Sequence, residues 1–266
     1  MLRSMYAGIS GMRGFQTKLD VIGNNIANVN TPGFKKGRVT FQDLMSQTEQ
    51  GAQRAEGGRG GINPMQVGLG SKVGSIDNVH TQGFLQPTGR ILDLAIEGDG
   101  FFEVGTSAVD GETYYTRAGN FYLDDDGNIV DPNGNYLRDV DGNPINIPTD
   151  ARSYSISENG EVTFVDQNGD AQSAGTIRLV NFANPEGMEK IGSNLYIPSN
   201  NSGDPQTGLP GNDGLGKLAP GSLEMSNVDL AEEFTEMIVS QRGFQANTRI
   251  ITTSDEILQE LVNLKR

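Results

Sequence analysis

The chain has no cysteine and no tryptophan, and its one histidine is His80. Disulfides and thiolate metal centres are therefore excluded, and so is any cluster of imidazole ligands. No run of about eighteen apolar residues is present, which leaves no candidate for a membrane-spanning helix. The first residues carry no basic stretch followed by a continuous apolar block, so a cleaved secretory signal is not expected. Cations are few: 20 Lys and Arg stand against 34 Asp and Glu, for a net charge of −14. Such a chain has little with which to neutralise phosphates or an anionic lipid surface, so neither nucleic acid nor membrane insertion is expected. Apolar residues make up only 35 %, while glycine is abundant at 36 of 266. That balance favours turns and short strands over a helical enzyme core.

The clearest pattern lies in residues 1–30. Leu2, Met5, Ile9, Met12, Phe15, Leu19, Ile22, Ile26 and Val29 follow one another in steps of three and four. This is an apolar seam along one long helix, close to a coiled-coil period with one stammer, between Met12 and Phe15. The helix is expected to stop near Asn30-Thr31-Pro32-Gly33, because the residue before proline avoids the helical region. A second helix is expected over 226–266, opened by a capping box from Ser226 to Asp229. Its apolar residues cover more than one face, so it should touch more than one neighbour.

Between the helices the chain reads as extended and β. Residues 31–75 form a connector whose most pliant run is Gly57-Gly58-Arg59-Gly60-Gly61. Residues 76–197 form a β domain, sandwich-like or barrel-like. In it, residues 91–96 and 101–104 read as a hairpin across Gly98-Asp99-Gly100. Asn-Gly or Asp-Gly pairs recur at 126, 133, 141, 159 and 168 and are read as type I′ turns. Residues 198–225, rich in Gly, Pro, Asn and Ser, read as a linker. The fold class is thus α+β: long terminal helices pairing as a coiled coil, with an all-β body between them.

Catalytic and ligand motifs fail one by one. Gly211 to Lys217 has phosphate-loop spacing, but Leu218 stands where a Ser or Thr must hold magnesium. The aspartates around Gly127 and Gly142 lack the first ligand and the closing Glu of a calcium loop. His80 lacks a nucleophile motif near it and reads as a surface residue. No enzyme activity and no cofactor are expected. What remains is a pair of amphipathic helices with more apolar surface than they can cover between them, and copies of the same chain are the natural cover.

The residues Leu19-Asp20-Val21-Ile22-Gly23-Asn24-Asn25-Ile26-Ala27-Asn28, followed by Thr31-Pro32-Gly33-Phe34-Lys35, resemble the signature of the bacterial flagellar rod and hook family. Asp93-Leu94-Ala95-Ile96, Gly98-Asp99-Gly100-Phe101-Phe102 and Tyr115-Thr116-Arg117-Ala118-Gly119-Asn120-Phe121 resemble its central blocks. Ser226-Asn227-Val228-Asp229 and Gln241-Arg242-Gly243-Phe244-Gln245-Ala246-Asn247 resemble its terminal helix. The resemblance implies export through the flagellar type III channel without a cleaved signal, and assembly into a helical homopolymer around a central channel. It also implies partners among other rod, hook, cap and junction proteins and the export apparatus, and a location in the extracellular hook or the basal body. No catalytic residues carry over.

Within the family, the soft connector favours a compact hook protein, with a distal rod protein as the alternative and a soluble β-sandwich adhesion module as a remote third. The candidate polymerisation residues are Leu2, Met5, Ile9, Met12, Leu19, Ile22, Asn25, Ile26, Asn28 and Val29 on the first segment. On the last they are Leu230, Phe234, Met237, Phe244, Ile251, Leu258 and Leu261. Gly57, Gly58, Gly60 and Gly61 are the candidate hinge.

Overall fold

The computed structural model describes residues 2–54, 61, 63–106, 111–212 and 214–264. The class is α+β: two long helices and a set of antiparallel sheets. The chain divides into two compact units. One comprises Met1–Ala27, Gly37–Asn78 and Asp229–Arg266; the other comprises Asn28–Lys36 and Val79–Val228.

The helix unit is built on α1 (Leu2–Ala27) and α2 (Leu230–Asn263). α1 ends three residues before the expected stop, in turns over 28–33. The cap of α2 also differs from the sequence reading. Asp229, in extended conformation, is itself the N-cap, and its carboxylate accepts from the Ala231 and Glu232 amides. A carboxylate there satisfies orphan N–H groups and meets the positive end of the helix dipole. Ser226 instead accepts from the amide of Val228 through its hydroxyl.

The two helices run antiparallel. Gly8 faces Ile251, Gly11 faces Asn247, Phe15 faces Gly243, and Lys18 pairs with Glu236 at 2.5 Å. Their approach depends on missing side chains. A Cβ at Gly243 would stand 2.6 Å from the Phe15 ring, and one at Gly11 would stand 2.8 Å from the Asn247 amide.

Most of the connector expected over residues 31–75 is a ribbon of this same unit, whereas residues 31–36 belong to the β unit. β1 (Gly37–Asp43) pairs with β4 (Ser71–Asn78), and β2 (Ser46–Gln50) pairs with β3 (Met65–Gly68). The Leu44 amide donates to the Gly70 carbonyl and joins the two ladders into one. Such a run of fourteen residues on one leg extends roughly 46 Å at about 3.3 Å per residue. α1 packs on it through Phe15 against Phe41, with ring centroids 5.9 Å apart. Asn25 holds it too: its amide donates to the Gly37 carbonyl and accepts from the Gly37 amide, both at 2.9 Å.

The β unit has a nine-stranded sheet centred on Phe101–Gly105, flanked by Thr113–Thr116, Tyr136–Leu137 and Leu179–Asn181. Its core gathers Leu94, Ile96, Phe102, Val104, Phe121, Ile129, Leu137, Ile145, Ile177 and Leu179, all essentially inaccessible. The hairpin expected across Gly98-Asp99-Gly100 does not form. Leu94–Glu97 pairs with Lys217–Pro220, while Phe101–Gly105 enters the large sheet. The intervening glycines, at φ +117° and +133°, turn the chain from one sheet into the other.

Residues 198–225 are likewise not a free linker. They supply Gln206–Gly208, Lys217–Pro220 and Ser222–Glu224 as strands, and Leu215 and Leu218 enter the core. Short strands paired with distant partners carry little local signal, and a Gly- and Pro-rich composition hid them.

The recurring turns sit where the sequence places them but are of another type. Only the glycine has positive φ; the Asn or Asp before it does not. Each glycine amide donates to the residue three back: Asp124, Asp131, Asp139, Ser157 and Asp166. These are type I turns closed by a glycine bulge, with Asp or Ser at the first position. A two-residue turn with positive φ at both central positions, as a type I′ turn requires, does occur at Ser193 and Asn194, with φ of 53° and 61°.

Candidate assembly surfaces

α2 presents an inverted pattern. The residues it buries are Glu233, Ser240 and Ser254, and the positions facing α1 include Gly243 and Asn247. Its bulky residues stay outside. Leu230, Phe234, Ile238, Val239, Ile250, Ile257, Leu261, Val262 and Leu264 are each between 40 % and 81 % exposed. At 100° per residue Val239, Ile250, Ile257 and Leu264 line one flank of the small, polar seam and Leu230, Phe234 and Val262 the other, while Ile238 lies opposite the seam and Leu261 continues its line toward the C-terminal end. Fully burying one such side chain stabilises by roughly 1.5–3 kcal/mol, so nine exposed on one helix are a large uncollected apolar surface.

On the side of α1 away from the α2 seam, α1 and the ribbon leave a groove between them, of about 570 Å³. Tyr6, Ile9, Ser10, Arg13 and Thr17 form one wall of it, and Leu44, Leu69, Lys72 and Val73 form the other. Tyr6 is 69 % exposed.

The β unit carries a buried polar knot that the sequence did not announce. Glu224, fully buried, receives Lys35 Nζ at 2.6 Å and Arg117 at 3.3 Å. Glu224 also accepts from the Gly83 amide through Oε1, and from the Gly33 amide through its backbone carbonyl. Lys35 Nζ donates in addition to the Thr81 carbonyl. Asn227 completes the set, accepting from the Lys36 amide and donating to the carbonyls of Val79 and Thr81. Three stretches that lead into the helix unit by covalent continuity, around residues 33–36, 79–83 and 224–228, are thus tied together. Burial pulls the Lys35 ammonium below its usual range, opposed chiefly by Glu224. A buried charge so placed stabilises only while every partner remains.

His80 lies beside this knot rather than on the surface. Its ring packs 5.7 Å from both Phe101 and Tyr196, and neither ring nitrogen has a hydrogen-bond partner among the described residues. Burial first, then the charges of Lys35, Arg117 and Lys190, push it down to about 4. It is a neutral packing residue at ordinary pH.

The structure distributes the expected polymerisation residues unevenly. Ile22 and Asn25 are buried, and Met5, Ile9, Met12, Leu19 and Ile26 are half-buried on α1. Asn28 and Val29 lie past the helix end, in the β unit. On α2, Met237, Phe244, Ile251 and Leu258 are half-buried, whereas Leu230, Phe234 and Leu261 are exposed. Leu2 begins α1. Gly57, Gly58 and Gly60 lie outside the described residues, and Gly61 is exposed. Sequence reasoning missed Tyr6, Val239 and Val262 on the helices and gave no role to Lys35, Arg117, Glu224 and Asn227. Tyr6, Ile9 and Arg13 share helical spacing, a signal that was there to use.

Among the described residues no helix is long and apolar enough to cross a membrane. Three family models match in chain order. They are a flagella basal body rod protein model over residues 5–35, a flagellar hook protein FlgE/F/G D1 domain over 95–164, and a flagellar basal body rod FlgEFG protein C-terminal model over 219–264. The chain is 60 % identical, over the full length of both, to a flagellar basal-body rod protein FlgG of Bacillus subtilis strain 168. It is 40 % identical to a protein of the same description from Agrobacterium fabrum, over 96 % of this chain and 97 % of that one. A flagellar hook protein FlgE of Borreliella burgdorferi is 31 % identical over a 444-position alignment that covers both chains fully. With its helices, its central block and its terminal segment all matched, and relatives aligned end to end, the chain belongs to the bacterial flagellar rod and hook family and is a structural subunit of the flagellum.

Proposed function

We propose that the protein is a rod subunit, polymerising into the distal shaft of the basal body, and that the hook reading gives way to it. The observation that carries this is the full-length, 60 % identity to a protein described as a basal-body rod protein. Two further points support it. The hook relative needs 444 alignment positions against the 266 residues here, so it carries substantial additional sequence. The soft-connector argument for a bending joint also loses its footing, because residues on both sides of the glycine run are paired into a ribbon.

In this reading residues 1–30 and 226–266 are the polymerisation segments, pairing with neighbours as a coiled coil that lines a central channel. The ribbon stiffens each subunit, and the sandwich-like or barrel-like β body faces outward. Torque passes along the shaft as shear through many such contacts. The subunit reaches the growing tip through the flagellar export apparatus without a cleaved signal, and meets other rod proteins below it and hook or junction proteins above. The test is complementation. Expressed in Bacillus subtilis lacking its FlgG, the chain should restore straight rods in isolated basal bodies seen by electron microscopy. Rescue of a strain lacking the hook protein, with curved tubes and no rod rescue, would contradict it.

A further inference from the structure

We propose that the groove between α1 and the ribbon receives the C-terminal end of α2 from a second copy, in a head-to-tail contact. This rests on the assembly reading above and specifies which surface meets which.

Shape, charge and reach each favour that occupant. The α1 wall of the groove, residues 3–17, and the α2 segment 250–264 each span roughly 21 Å of helix at about 1.5 Å per residue. Along that segment Ile250, Ile257, Leu261 and Leu264 fall on one stripe, all exposed. The groove offers Tyr6, Ile9, Leu44, Leu69 and Val73 to receive it. Glu256 and Glu260 accompany the stripe, and Arg13 and Lys72 line the groove. None of these four charges has an ion-pair partner among the described residues. Arg3, at the rim, is already held by Glu49 at 2.9 Å.

The chain's own α2 does not reach this groove. It lies against Gly8, Gly11 and Phe15, while Tyr6, Ile9 and Arg13 project from the opposite side of α1. The tail must therefore come from another molecule. Because groove and tail are different patches, the contact does not close on itself in a pair. Each copy keeps one free groove and one free tail, the condition for an open filament rather than a dimer.

The absence of native cysteine gives the test a clean background. Two full-length variants, Ile9→Cys and Leu261→Cys, are mixed, concentrated until the protein associates, and mildly oxidised. The mixture should give an intermolecular disulfide at least roughly tenfold more often than either variant alone, a ratio equivalent to about 1.4 kcal/mol of preference for the mixed contact. Association with no such preference would overturn the groove-and-tail contact while leaving assembly intact. No association at any concentration would overturn both. A double variant that closes on itself when dilute would show the groove filled from within, and would also overturn the proposal. Charge reversal gives a second arm. Lys72→Glu and Glu260→Lys should each weaken association, and a mixture of the two variants should recover it in alternating copies, one contact native and the next reversed.

Discussion

The two units of this chain treat their apolar residues in opposite ways. In the β unit the large side chains of the central strands, Phe102, Val104, Leu137 and Leu179, are sealed from water. In the helix unit α2 buries Glu233, Ser240 and Ser254 and leaves Phe234, Ile257 and Leu261 outside. The first is a finished core. The second is a close approach of two backbones over glycine and serine with the bulky residues left exposed, which under the proposed assembly are the ones neighbours would cover. Substitutions should therefore act on different observables in the two units.

The largest effect on folding is expected in the β core. Phe102→Ala should destabilise that unit by about 3–5 kcal/mol, read as a drop in its unfolding midpoint in denaturant. A loss under about 1 kcal/mol would mean the core is looser than described. Next comes the knot. Glu224→Ala leaves Lys35 and Arg117 buried without their carboxylate and should cost about 3–5 kcal/mol. A neutral result would show that the three tied stretches are held by something else.

A smaller effect is expected from His80. Its unfolded value is near 6.5 and its folded value about 4, so the unfolded state takes up the proton first. Stability of the β unit should be full above pH 6.5 and fall as pH drops toward 4. His80→Phe should flatten that slope, which denaturant midpoints measured across the window would reveal. The smallest folding effect is expected on α2. Ile257→Ser should change monomer stability by less than about 0.5 kcal/mol, yet sharply reduce association in sedimentation. Equal loss of both would place Ile257 in an intramolecular core and erase the contrast between the units.

How much of this the sequence disclosed depends on how local each signal is. Both helices were legible because a period of three and four repeats over many turns. The seam between them was not, since Gly11, Gly243, Ser240 and Ser254 are not apolar and periodicity overlooks them. The turn positions were legible from the Asn-Gly and Asp-Gly pairs, but the turn type depended on one residue further back. Four of the five glycines have Asp three positions earlier and the fifth has Ser157, which fixes a type I turn. Lys35 and Glu224 lie 189 positions apart, and nothing local in the chain announces their pairing. The strands of residues 206–224 were lost for the same reason, as Lys217–Pro220 finds its partner at Leu94–Glu97.

The proposed dependence of the helix unit on sibling chains is tested most directly by amide hydrogen exchange along α2, compared between dilute monomer and assembled protein. Exchange over 250–264 should slow strongly on assembly while the strands Phe101–Gly105 and Leu179–Asn181 stay unchanged. Equal protection of α2 in both states would mean that its outer face needs no neighbour, and would contradict the account.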